Sequence, residues 1–547
     1  MIQKMIDWAL RSRLWILLIN LAVVLAGIYS LTNISIDAVP DITNVSVMVN
    51  TKTGALAPEE IEKNVTYKIE SELAGLPNVE DIRSLSKYGL SQIIVVFSDS
   101  TDIYFARQLV LERLQSVREM LPEGLSPELG PVSTGLGEVF MYAVIPRKGS
   151  ALEKRPERER LIYLRTVQDL HIKPLLRGIP GVAEVESNGG FKKEIHVNVH
   201  PSRMENSGIT CQELIGNLES VGENFGGGYI QVMGKQIIVR TLGRIEDLNQ
   251  IGNIPVKLNV YGSPVRLRQV ADVAEGSELR LGAATYQGEE AVLGTVLMRI
   301  GSNSRTVAMN VEEAVKKIPL PGDVEIKTLY TRSFLVDATI HTVSKNLLEG
   351  GFLVVAILLL ILGNFRAAIV VAVAIPLSML FAFSGMLRLG ISASLMSLGA
   401  IDFGLIVDGA VVMIENVIRR YEAHSGRDVP TRRERLALIG EAAGEIGKPV
   451  FLGVLIIMIV YIPILSLSGI EGKMFRPMAA TVLLALGASL LIALFLMPVL
   501  SYYFLRIPRE SKDSIFFHQI SRLYRPVLRF SLEHRLTTIL PTLAVAS

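Results

Sequence analysis

Residues 400–416 read AIDFGLIVDGAVVMIEN, an apolar stretch interrupted by Asp402, Asp408 and Glu415. It lies in one of six apolar runs long enough to cross a bilayer, which takes roughly 20 residues per helix. The runs cover 15–31, 347–362, 367–387, 395–417, 450–467 and 478–505. Half of the 547 residues are apolar, and a mean hydropathy of +0.40 exceeds that of a soluble chain split into several domains. The first run is not followed by a small-x-small cleavage site and reads as a retained anchor.

Charge placement orients these spans. Lys4, Arg11 and Arg13 precede the first one, which puts the N-terminus in the cytoplasm. Alternation then makes 419–448 cytoplasmic, in agreement with Arg419, Arg420, Arg427, Arg432, Arg433, Arg435 and Lys448 there. Arg506, Arg509, Lys512 and Arg522 after the sixth span agree as well. The expected organisation is a cytoplasmic N-terminus and first span (1–32), a periplasmic segment (33–335) and spans two to six (336–505). A cytoplasmic amphipathic segment (506–535) and the start of a seventh span (536–547) follow. SIFFHQISRLYRPVLRF in the fourth of these regions reads as an interfacial helix, and the stretch around 432–443 is expected at the same surface. The localisation expected is a multi-pass protein of the inner membrane.

The outside segment alternates strand and helix patterns. VSVMVNTK and QIIVVFSD read as strands. PEEIEKNVTYKIESELAGL reads as a helix with Pro58 at its start and Gly75 near its end. The cycle recurs in VFMYAVIP, RLIYLRTVQDLHIKPLLRGI, VAEVESNGG and KEIHVNVH. Two α+β units of the split βαβ, ferredoxin-like kind fit the length, with glycines 226–228 marking an excursion from the second. The fold class is thus an α-helical transmembrane bundle plus periplasmic α+β porter subdomains.

Other chemistry is thin. Lys+Arg total 55 and Asp+Glu 53, so charge implies no nucleic-acid partner. Cys211, alone of its kind, excludes a disulfide framework or a cysteine zinc site within one chain. No Gly-rich phosphate loop or nucleophile–base pair occurs, so neither an ATPase or hydrolase activity nor a cofactor is expected.

The fourth-span acids therefore carry the function. An Asp near mid-bilayer costs roughly 2.5–3.5 kcal/mol, so three charged acids cost about 8–10 kcal/mol, more than the apolar residues of one span offset. Two arrangements relieve this. The acids are protonated, since desolvation favours the neutral carboxyl, or they face cations inside a bundle. Either makes a reversible proton site. Asp408 and Glu415 are seven residues apart, on one face about 10 Å apart along the axis, and Asp402 falls about 120° round from Asp408. Gly404 and Gly409 leave room for a neighbouring helix, and Asn416 is placed to hydrogen-bond at the membrane boundary. For Glu415 the competing reading is an interfacial acid reaching water before Arg419 and Arg420.

DFGLIVDGAVVMIEN resembles the fourth-span signature of heavy-metal efflux pumps of the resistance–nodulation–division (RND) superfamily, in the cobalt–zinc–cadmium form. The copper/silver branch lacks the DFG, and drug-exporting relatives carry paired aspartates where Asp408–Gly409 stands. IDAVPDITNVSVMVNT, LAPEEIEKNVTYKIESELAGLP, SLSKYGLSQIIVVF, IYFARQLVLERL and GLGEVFMYAV are similar to the first porter region of these pumps. The resemblance implies a proton/cation antiporter exporting divalent cations (Zn, Co or Cd) as substrate. It implies Asp402, Asp408 and Glu415 as the proton relay, and a homotrimer with a periplasmic adaptor protein and an outer-membrane channel. Family members have about twice this length, as two repeats, so the chain corresponds to the N-terminal half. A C-terminal half would supply a Lys opposite Asp408 and most metal ligands. A non-transporting module and a pump for organic amphiphiles are the alternatives.

Weaker features complete the reading. Glu138 in GLGEVF is a candidate metal contact, set against a solvated loop acid. His196 and His200 share one face of a strand and read first as surface histidines beside Lys192 and Lys193. Met379, Met386, Met396, Met413 and Met458 are irregularly spaced and read as packing, not as a thioether relay for a soft cation.

Overall fold

The computed structural model describes residues 2–37, 39–219, 226–232, 234–240, 245, 247–258, 262–280, 282–423, 431–505 and 515–534. The chain forms two compact units. One comprises Met1–Val139, Met298–Met309 and Thr331–Ser547; the other comprises Phe140–Leu297 and Asn310–Tyr330.

The first unit holds six helical segments long and apolar enough to span: Arg13–Asn33, Arg332–Leu360, Phe365–Arg388, Leu395–Glu422, Arg432–Ser466 and Gly469–Phe504. They run past the hydropathy limits because helical hydrogen bonding continues into polar residues outside the apolar part. The second-span helix, Arg332–Leu362, ends on Gly363 at φ +59°, a left-handed closure that glycine adopts without strain. Asn364 then caps the third-span helix, accepting from the Arg366 and Ala367 amides at 3.0 and 3.3 Å.

The fifth segment corrects one expectation. Residues 432–443 do not form a separate interfacial helix but the first turns of a continuous helix, Arg432–Tyr461. Thr431 and Glu434 box its start, with the Thr431 amide 2.7 Å from the Glu434 carboxylate. Leu438, Ile439, Ala442 and Ala443 are buried. They pack because a helix unmarked in the hydropathy reading, Ile2–Arg11, lies against this stretch. Gly440, Gly444 and Gly447 make its seat. A β-carbon on Gly444 would stand 1.5 Å from Gln3 Oε1, and one on Gly447 would stand 3.0 Å from Ile6.

The same unit contains the first α+β fold. Strands β1 (Val45–Lys52), β2 (Val79–Lys87), β3 (Leu90–Phe97) and β4 (Pro127–Leu129) pair in the order β2-β3-β1-β4, each neighbour antiparallel. Val47 and Val49 alternate inward with Ile93, Val95 and Phe97. Onto them pack Ile61, Val65, Ile69 and Leu73 from one helical stretch and Ala106, Val110, Leu114 and Val117 from another. Both sets recur at i, i+4 or i+3, the spacing of one helix face. Asp102 starts the second helix, accepting from the Tyr104 and Phe105 amides at 2.9 Å.

The second unit repeats the plan. Strands β5 (Glu138–Pro146), β6 (Val182–Asn188), β7 (Glu289–Met298) and β8 (Val324–Thr331) follow β7-β5-β8, with β6 on the other side of β7. This is the βαββαβ order of the first sheet, as the split βαβ reading expected. The excursion falls between β6 and β7. It pairs Lys193–Val199 antiparallel with Ala271–Ser277 around a small core that includes Met204, Leu214, Val256 and Leu267.

A buried polar chain crosses this unit. Tyr142 donates its hydroxyl to Gln168 Oε1 at 3.0 Å, and Gln168 Nε2 donates to Ser187 Oγ at 3.2 Å. Burial pushes the Tyr142 hydroxyl well above the usual tyrosine range. The proton is thus held more tightly in the folded chain, so the associated stability is present below pH of about 10 and lost as pH rises further. Tyr142→Phe leaves the Gln168 oxygen without its donor. The expected loss is about 1–3 kcal/mol, read as a lower thermal midpoint of the whole chain in detergent.

Candidate functional site

The fourth span is built in two pieces. A short helix, Leu395–Gly399, is capped by Ser394, whose hydroxyl accepts from the Ser397 amide at 3.2 Å. The chain then breaks, and the main helix runs Phe403–Glu422. Asp402 is the N-cap of that helix, with its Oδ1 accepting from the Gly404 amide at 2.8 Å. It therefore has extended backbone and occupies no helical face, which corrects the 120° placement. A carboxylate at a helix N-terminus is held by the free amides and by the aligned peptide dipoles.

Asp408 and Glu415 do share one face. The buried face carries Ile406, Val407, Gly409, Ala410, Met413, Ile414, Asn416, Val417 and Tyr421, and both acids fall on the open side. Asp408 lines a groove of about 230 Å3 whose other walls include Leu405, Val412, Pro449, Val450, Gly453 and Ile457. Among the described residues, no cation lies within ion-pair distance of Asp408 or Glu415. The charge-pairing route is thus not supplied by these six segments.

The two glycines divide. A β-carbon on Gly409 would stand 3.1 Å from Val450 and 3.4 Å from Ala493, so it marks tight contact with the fifth and sixth spans. Among the described residues, no helix comes within contact of a β-carbon on Gly404. Its added carbon would meet only Asp402 Oδ1, at 3.2 Å, so space here serves the cap and not helix packing.

One polar cluster was not foreseen. Asn416, buried, donates to the Ala442 carbonyl at 2.7 Å and to Glu445 at 3.3 Å. Arg419 donates to Asn416 Oδ1 at 2.7 Å, and Arg420 reaches Glu445 at 3.0 Å. Glu445 thus ties the end of the fourth-span helix to the fifth. The available signal was an acid in GEAAGEIG opposite two arginines, within the 419–448 stretch that charge placement reads as cytoplasmic.

The metal candidates do not converge. Glu138 is exposed at the start of β5, and among the described residues no group of three or more His, Cys, Asp or Glu could hold an ion. His196 lies beside Glu194 at 3.5 Å, whereas His200 bonds Asp272 at 2.8 Å. That bond holds the Asp272 carboxyl below the usual carboxylate range. Met379, Met386 and Met413 are buried in the apolar core of the spans.

Two βαββαβ sheets, the second with a long insertion, and six apolar helical segments, the fourth carrying acids, are the elements of the RND-type transporter fold. The sequence matches the AcrB/AcrD/AcrF family over residues 5–546, and the chain belongs to that family. It is 46% identical over 549 residues to Protein HelA of Legionella pneumophila, covering 100% of this chain and 52% of that protein. Identity to the cobalt-zinc-cadmium resistance protein CzcA of Cupriavidus metallidurans is 45% over 556 residues, covering 100% and 52%. For the cation efflux system protein CusA of Escherichia coli (strain K12) it is 37% over 550 residues, covering 98% and 52%. A crystal structure of a heavy metal efflux pump superposes with a TM-score of 0.81 at 32% identity, over 99% of this chain and 52% of that one. The chain spans about half the length of the curated relatives it matches, corresponds to their N-terminal half, and is a multi-pass inner-membrane protein of the heavy-metal efflux branch.

The glycine geometry gives a direct check. Gly409→Leu is expected to lower stability by about 1–3 kcal/mol through overpacking, while Gly404→Ala changes it by no more than about 0.5 kcal/mol. Thermal midpoints of the two variants in detergent separate these outcomes.

Proposed function

We propose that the chain belongs to the inner-membrane subunit of a proton-driven exporter of divalent heavy-metal cations. Asp402, Asp408 and Glu415 would form its proton relay. The observation that carries the reading is Asp408. It is a carboxylate on the open side of a spanning helix, facing an apolar-walled groove, beside the glycine where three spans meet. An acid so placed is stable when neutral or when a cation from outside these spans reaches it. Switching between those conditions biases a bundle with two arrangements. Each charge moved through the membrane potential supplies about 2.3 kcal/mol per 100 mV.

The relatives favour divalent cations. Proteins named for cobalt, zinc, cadmium or nickel resistance share 41–45% identity with this chain, against 37% for CusA. The Lys/Arg distribution supports a periplasmic location for the two sheets. A homotrimer working with a periplasmic adaptor, an outer-membrane channel and a C-terminal half belongs to the same proposal.

A second reading rests on the unpartnered face of Asp408: these 547 residues alone bind sibling subunits without pumping. Metal transport by the purified chain alone in proteoliposomes would remove that reading. Proton flux dependent on organic amphiphiles and independent of metal would favour a drug pump instead.

The main proposal is tested in cells carrying the whole pump with Asp408→Asn. Tolerance to Zn, Co and Cd is expected to fall to that of cells without the pump at equal expression. Retained tolerance contradicts the proposal.

A further inference from the structure

The sixth-span helix begins outside the apolar core with GIEGKMFRP, and its Lys473 side chain is mostly buried, 18% exposed. The ammonium donates to the Thr43 carbonyl at 2.9 Å, to Asn44 Oδ1 at 2.8 Å and to Asp99 Oδ1 at 2.6 Å. Three donors meet three acceptors, which uses the whole capacity of the group. The acceptors are informative by position. Thr43 and Asn44 lead directly into β1, and Asp99 follows the end of β3, the strand paired with β1. One side chain therefore grips the central two strands of the first sheet at a common end.

The same helical segment also touches the acid site. Beyond Leu491 it continues through a single wide turn, Ile492–Leu496, and there Ala493 is the residue against which Gly409 packs. Gly409 is bonded to Asp408. Twenty residues separate Lys473 from Ala493, about 30 Å of helix. The contact at Gly409 is close: an added carbon there would press on Val450 of the fifth span at 3.1 Å and would stand at 3.4 Å, in van der Waals contact, from Ala493 of the sixth. A displacement of the fourth-span helix at Asp408 would be felt by the sixth through this contact, and at the far end of the sixth the charged, hydrogen-bonded Lys473 joins it to the sheet.

We propose that Lys473 is a positioning residue that couples the sixth span to the first porter sheet. The inference rests on the proton-driven reading above. It assigns to this lysine no contact with the transported ion and no exchange of protons. It acts by holding Thr43, Asn44 and Asp99 to the helix, so that the sheet follows the span.

The test uses the full chain in lipid bilayers with Cys211→Ser and spin labels at positions 128 in β4 and 348 in the second span, both exposed. Asp408→Asn, a permanently neutral side chain, is expected to shift the distance distribution between the labels when Lys473 is intact. In Lys473→Met the shift is lost, and in Lys473→Arg, which keeps the charge and the donors, it is retained. Equal thermal midpoints for the Met and Arg variants show that loss of the shift is not loss of the fold; if the Met variant unfolds, Asp99→Asn, which weakens one arm only, is expected to reduce the shift. An undiminished shift in Lys473→Met, or in Asp99→Asn where the Met variant fails to fold, overturns the coupling role and leaves the proton-driven reading standing. No shift on neutralising Asp408 with Lys473 intact overturns both.

Discussion

A carboxylate placed at membrane depth must be neutral, wet or paired, and the fourth span is organised around that requirement. Asp402 meets it with the Gly404 amide at the helix start. Asp408 and Glu415 have neither amides nor a cation among the described residues, and they look away from the packed core of the six segments. The helix nonetheless packs closely on its other side, where Gly409 admits the fifth and sixth spans. An open side that carries the carboxylate and close contact on the other side would make a change at Asp408, as proposed above, mechanically consequential.

The remaining architecture extends that consequence in both directions along the helices. Toward the C-terminal end of the fourth-span helix, Asn416, Arg419, Arg420 and Glu445 lock it to the fifth. The N-terminal helix is seated in turn on Gly440, Gly444 and Gly447 of the fifth. Toward the other end, the sixth span reaches the first sheet through Lys473. Asp37, leaving the first span, accepts from Ser304 and lies 4.0 Å from Arg332 at the start of the second. Polar bonds thus gather at the ends of the spans, since buried donors and acceptors in such joints must be satisfied and satisfied bonds fix one geometry.

Much of this was legible from residue order because the signals are local. Six apolar runs, the strand–helix alternation and the proline and glycine punctuation near Pro58 and Gly75 each act over a few residues. The repeated βαββαβ plan and the excursion after β6 follow from the same patterns. What escaped depends on partners distant in sequence. Hydropathy could not join 432–443 to the fifth span, because those turns are buried by the N-terminal helix more than 400 residues away. Periodicity placed Asp402 on a helix face because it does not register the break after Gly399. Gly404 and Gly409 look alike in the sequence, and only the positions of Val450 and Ala493 separate a contact glycine from a cap glycine. Lys473 carried no local signature, since it acts through residues on other elements.

The central claim is that Asp408 gains and loses a proton inside the bilayer. Infrared difference spectra of the whole chain in lipid, recorded across acidification, report a protonated carboxyl group directly. The account predicts a protonated-carboxyl band that grows on acidification in the wild type and is missing from Asp408→Asn. Identical spectra for the two proteins at every pH would contradict it.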